Sequence, residues 1–380
     1  MTKPAPSYNG LFIGLMSGTS MDGIDAALVD FGNDGFRLVA CHSERFPPLL
    51  QRRMRRLAER GSVDALGDLD AKLGASFANA VLNLLDISGV SSKDIIAIGS
   101  HGQTIRHRPD AFPPFTLQIG DPSRITARTG ITTVADFRRR DIAAGGQGAP
   151  LTPAFHAHYL HKTGEDRVIL NIGGIANITV LPGDDKAGVK GFDTGPGNTL
   201  LDAWCRLHLD KPYDSGGKWA TSGTTDESLL KAMKDDPYFS LEPPKSTGPE
   251  YFNLAWLETL LKRHPSAPTA TDIQSTLADL TASSIADAII ANAPANSRVL
   301  VCGGGVHNPR VMAALRRYLS GYKVESTEGH GLDPDWVEAV AFAWLARQCL
   351  LNRPGNLPEV TGATEMVVLG AIHPGRRGRI

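Results

Sequence analysis

The chain has 380 residues, 42% hydrophobic and 21% charged. That length fits two domains of common size, and the composition is ordinary for a globular protein in water. The net charge of −1 excludes a global positive field that would draw the chain onto nucleic acid or an anionic membrane, so any phosphate recognition has to be local. Cys41, Cys205, Cys302 and Cys349 stand at no metal-ligand spacing and read as reduced, buried thiols. The first ten residues lack the apolar stretch of a signal peptide, and no apolar run approaches the roughly 18 residues that span a bilayer. Together these predict a cytoplasmic protein.

In chain order, Leu11 to Met16 and Ile24 to Phe31 are apolar runs around a polar, glycine-containing turn, the pattern of a strand hairpin. Leu49 to Arg60 reads as a surface helix. Its basic run, Arg52 to Arg56, carries no interleaved aromatics and is followed by Asp64, Asp68 and Asp70, so it reads as a solvated face rather than a nucleic-acid patch. Asp70 to Leu85 has helical spacing at Leu73, Phe77, Val81 and Leu84. Ile95 to Ile98 is a buried strand leading into Ser100 to Thr104. Val168 to Asn171, Gly173-Gly174 and Ile175 to Val180 repeat the N-terminal strand-turn-strand pattern, which suggests two similar halves. Ser215 to Pro249 is polar and rich in Gly, Thr, Asp and Pro, and reads as a long surface excursion, a candidate flap. Ile273 to Ala291 is helical. Val299 to Cys302 is a strand, followed by Gly303-Gly304-Gly305 and a helix with Asn308 at its N-cap and Pro309 at its first position. Trp336 to Leu350 is a long apolar helix. The expected domains are 1–137 and 138–380.

The 40 glycines exceed the roughly 7% average, and several clusters directly follow apolar runs, where a backbone can approach a ligand closely. The turn Gly18-Thr19-Ser20-Met21-Asp22-Gly23-Ile24-Asp25 directs successive N–H groups and two hydroxyls to one place, an anion-binding concavity. Asp22 and Asp25 suit a phosphate site when a cation such as Mg²⁺ intervenes, with Asp22 its nearest ligand. The alternative is a plain hairpin turn. No Gly-Lys-Ser/Thr element makes it a Walker A loop. The turn Asn171 to Asn177, with Asn171, Gly173 and Gly174, is a second candidate for the same phosphates. The third, Gly303, Gly304, Gly305 and Asn308, approximates a dinucleotide fingerprint with Glu325 about 20 residues beyond, but the third glycine is absent, which argues against a dehydrogenase. In Phe192-Asp193-Thr194-Gly195-Pro196-Gly197-Asn198, Asp193 is a single carboxylate on a rigid turn, a candidate general base for phosphoryl transfer, with an Asx-type turn as the alternative. Aspartic proteases need two such carboxylates, and the chain has one Asp-Thr-Gly. Ala135 to Asp141 places Arg138 and Asp141 as either a clamp for a sugar or carboxylate or an ordinary basic loop. His101 reads as structural.

These segments, taken with Glu338 to Ala346, occur in an order that resembles the anhydro-N-acetylmuramic acid kinases over nearly the whole chain. The resemblance implies an α/β, two-domain actin/hexokinase-like (ribonuclease H-like) fold with an interdomain active-site cleft. It implies ATP and Mg²⁺ as cofactors, with ATP held by Gly18 to Asp25, the second glycine turn and an adenosine turn at Gly303. It makes Asp193 the base that activates water, and Glu338, Arg138, Asp141 and Asn198 the sugar contacts. The implied reaction opens the 1,6-anhydro ring of 1,6-anhydro-N-acetylmuramic acid and phosphorylates O6, giving N-acetylmuramic acid 6-phosphate and ADP in cell-wall recycling. The implied protein is a homodimer with a small-molecule substrate and neither nucleic-acid nor membrane partners. A kinase of a different amino sugar is the nearest rival. A nucleotide-switch or chaperone-like module is another, but no long client-binding region is visible.

Overall fold

A computed structural model describes residues 8–376 except Thr19, Asp34, Asp185 and Ser266. The chain packs as two compact units, one comprising the residues up to Tyr159 and those from Trp336 onward, the other Leu160–Asp335.

The strands of the first unit are β1 (Gly10–Ser17), β2 (Gly23–Phe31), β3 (Phe36–Arg45), β4 (Ile95–Arg108), β5 (Phe115–Ile119), β6 (Thr133–Ala135) and a last short strand, Ala371–His373. They lie in the order β3-β2-β1-β4-β6-last, with β5 paired to β4. β1, β2 and β3 form an antiparallel meander, and β4 runs parallel to β1. The helix Val63–Ser88 covers one face. Its Leu73, Phe77, Val81 and Leu84 pack with Ile13, Leu15 and Ile98, the stripe its spacing predicts. The helix starts earlier than expected because Ser62 caps it by accepting the Ala65 N–H. The helix Val337–Leu350 packs on β1 and β4. It comes so close that a Cβ on Gly14 would sit 1.7 Å from Ala339 O, and one on Gly99 would sit 2.0 Å from Phe342 O. Only glycine allows that approach.

The second unit has β7 (Arg167–Ile172), β8 (Ile175–Leu181), β9 (Lys190–Pro196), β10 (Arg298–Cys302) and β11 (Lys323–Ser326) in the order β9-β8-β7-β10-β11. β7, β8 and β9 are an antiparallel meander, and β10 runs parallel to β7. The long helix Ala270–Asn292 buries Leu277, Leu280, Ile285 and Ile289 with Val168, Leu170 and Ile178 of the sheet. Both units therefore share one strand order: three antiparallel strands, then two strands parallel to the first, to which the first unit adds the last strand antiparallel to β6. This is the ribonuclease H-like order, present twice, and it bears out the expected α/β architecture.

Two expectations need correction. The units do not divide at 137/138. The helix Val337–Leu350 returns to the first unit, where Arg347 donates to Tyr8 O (2.9 Å) and Asn9 Oδ1 (3.0 Å), and the last strand pairs with β6. Such a return rests on contacts between distant residues and leaves no mark in local composition. Nor is Ser215 to Pro249 a bare surface excursion. It contains the helices Lys218–Thr221 and Glu227–Lys234 and buries Leu229, Leu230, Met233 and Tyr238. Its polar residues are caps and turn formers between amphipathic pieces.

Candidate active site

In the first unit the β1–β2 connection is tight. Met21 N–H donates to Gly18 O (3.2 Å), and Met21 takes a positive φ of 56°. The buried Gln103 of β4 supports the turn from below: its Nε2 donates to Gly18 O (3.0 Å), and Ser17 Oγ donates to its Oε1 (2.7 Å). Ser20 Oγ donates to Asp22 Oδ1 (2.6 Å), and Ser43 Oγ donates to Asp25. Asp22 is exposed, whereas Ile24 is fully buried and can offer a ligand only its backbone. Arg55, from the basic run, donates to Ser20 O (3.4 Å), so one guanidinium stands beside an otherwise acidic turn. A Cβ on Gly18 would have only Ser20 Oγ nearby, at 3.9 Å; that side of the turn is open. Thr19 lies outside the described residues.

Arg138 and His101 are paired. Arg138 Nε donates to His101 Nε2 (3.0 Å) and its Nη1 donates to Gly148 O (2.8 Å). A guanidinium can only donate, so Nε2 is the acceptor and the ring proton sits on Nδ1, which is 2.8 Å from Gly102 O. Burial, then the Arg138 charge, holds the His101 pKa well below its ordinary value. The neutral ring is thus a strut for Arg138. Asp141 is fully buried. It accepts from Gly148 N–H, Asn356 Nδ2 and Thr361 Oγ1, all at 2.7 Å. A carboxylate without exposed surface and with both oxygens engaged is a structural knot, which corrects its expected role as a sugar contact. Glu338, half-buried, lies in the first turn of Val337–Leu350. The Gly14 contact with Ala339 fixes that turn against β1.

In the second unit the expected residues gather at the ends of β7 and β10, where Asn171 pairs with Cys302. The carbonyl of Gly173 accepts from Asn198 N–H (2.8 Å), and that of Gly174 accepts from Gly197 N–H (2.9 Å) and Thr199 N–H (3.0 Å). The turn is therefore braced by the start of the helix Thr199–Leu209. A Cβ on Gly197 would fall 2.4 Å from Gly173 O. Asn198 Nδ2 also donates to Ile172 O (3.2 Å). Gly303 takes φ +79° beside Asn171, whose Oδ1 would lie 2.2 Å from a Cβ there, and Gly305 packs on Ile172. Gly304 meets nothing within 4 Å and is the open residue of the three. Asn308 caps the helix Pro309–Tyr318 through Oδ1, which accepts from Arg310 and Val311 N–H (3.1 and 3.2 Å). Its side-chain oxygen is committed to that cap, so any part in nucleotide binding would fall to its amide Nδ2 or its backbone.

Asp193 sits on β9 opposite Asn177. Its Oδ2 accepts the Thr247 backbone N–H (3.0 Å), its own N–H donates to Lys245 O (3.1 Å), and its carbonyl accepts the Tyr238 hydroxyl (2.7 Å). Burial, then the Asp193 charge, pushes the Tyr238 pKa up, so the hydroxyl remains a donor. Tyr238, Lys245 and Thr247 were not among the expected site residues. The signal for them was the aromatic interleaving in Asp236-Pro237-Tyr238-Phe239 and Tyr251-Phe252, which marks a packed segment within a polar stretch.

Two sheets of one strand order, each opening with a glycine-turn hairpin at its first strand pair, define the chain as a duplicated α/β protein of ribonuclease H-like strand order. A family model described as anhydro-N-acetylmuramic acid kinase matches residues 10–375. The chain is similar to proteins of that name from Xanthomonas campestris pv. campestris (strain 8004), 53% identical over 98% of this chain and 100% of the relative, and Xanthomonas axonopodis pv. citri (strain 306), 54% identical over 96% and 98%. A third, from Coxiella burnetii (strain Dugway 5J108-111), is 52% identical over 96% and 98%. Among solved structures, a ROK family glucokinase from Streptomyces griseus in complex with glucose and AMPPNP aligns at 16% identity and a TM-score of 0.40 over 89% of this chain and 100% of that one. The chain belongs to the anhydro-N-acetylmuramic acid kinase family and is an ATP-dependent kinase.

Proposed function

We propose that this kinase opens the 1,6-anhydro ring of 1,6-anhydro-N-acetylmuramic acid and phosphorylates O6 in one coupled reaction, with Asp193 as the base. Water attacks C1 and gives its proton to Asp193. The C1–O6 bond breaks, O6 bonds to the γ-phosphorus, and the bond from that phosphorus to ADP breaks. The products are N-acetylmuramic acid 6-phosphate and ADP. Holding the reacting groups together contributes up to about 7–11 kcal/mol in favourable cases.

The observation that carries this reading is the setting of Asp193: one carboxylate, held at one oxygen by a backbone N–H, on the strand that leads into the turn bracing Gly173 and Gly174. The Gly18–Asp25 turn, the Gly173–Gly174 turn and the Gly303–Gly305 turn bind ATP through backbone groups. Arg138, held by neutral His101, Glu338 and Asn198 are the sugar contacts. Among the described residues no three His, Cys, Asp or Glu side chains are placed to hold a metal ion. The donor set suits Mg²⁺ arriving with the nucleotide and meeting Asp22 alone, through water. Bound there, Mg²⁺ neutralises phosphate charge. No helix among the described residues is long and apolar enough to cross a membrane. The protein acts as a homodimer in the cytoplasm on a free small sugar, within cell-wall recycling.

Asp193→Asn keeps the size of the side chain and removes the base. It is expected to lower turnover by at least about a thousandfold, within the range general bases contribute, while calorimetry shows ATP bound as in the wild type. Near-normal turnover of this variant would remove Asp193 from the role.

A further inference from the structure

Asp193 is gripped from one side by a segment far along the chain. Tyr238 Oη holds its carbonyl, Lys245 O its N–H, and Thr247 N–H its carboxylate. Phe239 closes on the same strand two residues on, where a Cβ at Gly195 would lie 2.8 Å from its ring. The segment is itself tied off. Asp236 accepts from Tyr238 N–H (2.9 Å), Tyr251 Oη (2.7 Å) and Trp256 Nε1 (2.8 Å). The Lys245 ammonium lies 5.0 Å from the centre of the Tyr238 ring. One atom in this frame is out of place for a purely structural role: Thr247 Oγ1 is buried with no hydrogen-bond partner among the described residues. A buried hydroxyl left unpaired is destabilising, yet it belongs to the residue whose N–H holds the Asp193 carboxylate.

We propose that Asp236–Thr247 is the frame that aims the Asp193 carboxylate, with Tyr238 as a positioning residue and the Thr247 hydroxyl as a second hydrogen-bonding group for the water that Asp193 deprotonates. This rests on Asp193 being the base. The frame acts on the chemical step: a misplacement of about 1 Å is enough to cost 10²-fold in rate, while nucleotide and sugar are bound by other residues.

The test compares Tyr238→Phe, Thr247→Val and Asp193→Asn in the full chain, with rates normalised to the fraction of enzyme that binds an ATP analogue. Tyr322→Phe, which removes a hydroxyl bond to Ala293 O (3.3 Å) elsewhere in the unit, is the control. Tyr238→Phe and Thr247→Val should each lower kcat by about tenfold or more, with KM for ATP and sugar within about twofold of wild type. Tyr322→Phe should keep wild-type kcat. Thr247→Val discriminates best. Removing an unpaired buried hydroxyl should leave the fold as stable or more stable in urea, so an unimpaired fold with a slowed chemical step supports the role, and full activity overturns it for Thr247. Wild-type kcat in Tyr238→Phe overturns the positioning role of Tyr238. If both variants are fully active while Asp193→Asn is dead, the frame fails and the base assignment stands; an active Asp193→Asn sinks the base assignment itself.

Discussion

At the scale of single residues, the glycines that matter are those whose neighbours leave no room for a Cβ. Gly197 is one. Its N–H braces Gly174 O while its Cα sits against Gly173 O. Gly197→Ala would push the Gly173–Gly174 turn away from its brace, an overpacking strain of about 1–3 kcal/mol. We expect ATP affinity by calorimetry to fall about tenfold or more; unchanged affinity would take that turn out of nucleotide binding. The residues around Arg138 carry a different lesson. A clamp and a surface loop were equally open from the spacing of Arg138 and Asp141, and the two residues turn out to do different things. Asp141 is sealed beneath Gly148, while Arg138 is half-buried and steadied by His101. Sequence places both on one short stretch, but the partners that separate them, Asn356 and Thr361, are over 200 positions away.

At the scale of elements, strand and helix positions follow from patterns that are local. The hairpins at Gly10–Phe31 and Arg167–Leu181, the helix Ala270–Asn292 and the capped helix at Pro309 stand close to where apolar runs, glycines and cap residues put them. The polar stretch before Pro249 does not. Its helices are short and capped by Asp226 and Asp236, and those aspartates read as loop composition until the aromatics behind them are seen packed. The tightest contact between elements is the helix Val337–Leu350 on β1. Gly14→Ala would have to lift that helix from backbone contact, and should destabilise the protein by roughly 3 kcal/mol, the upper end of overpacking costs. Urea unfolding checks this: the midpoint should drop with the slope unchanged. A midpoint equal to wild type would mean the helix yields freely, and with it the fixed position of Glu338.

At the scale of the whole molecule, the duplication was legible as a repeated glycine hairpin, and strand order confirms it in both units. The division of the chain was not legible, because its last helix and strand go home to the first unit by long-range packing. The first unit also holds buried histidines that make the fold sensitive to acid. Burial holds His156 at about 3 and, with help from Arg138, His107 at about 4, against about 6.5 in an unfolded chain. Between those values the unfolded chain carries protons that the folded one excludes, so the stability these two neutral histidines contribute is complete above about pH 6.5 and is lost as pH falls toward 3. For His156 the loss is roughly 3 kcal/mol by pH 4.5. His156→Gln should flatten the decline of the urea midpoint between pH 7 and 4.5, and an unaltered decline would place the acid sensitivity elsewhere. In the proposed reaction water enters at C1, and O6, released from C1, is the oxygen that takes the phosphoryl group. This route is tested most directly by turnover in ¹⁸O-water, with the sugar phosphate analysed by mass spectrometry at early times. We predict ¹⁸O on the C1 hydroxyl and none on O6 or the phosphoryl group. Label on the phosphoryl group, or a phosphorylated product with no label at C1, would contradict it.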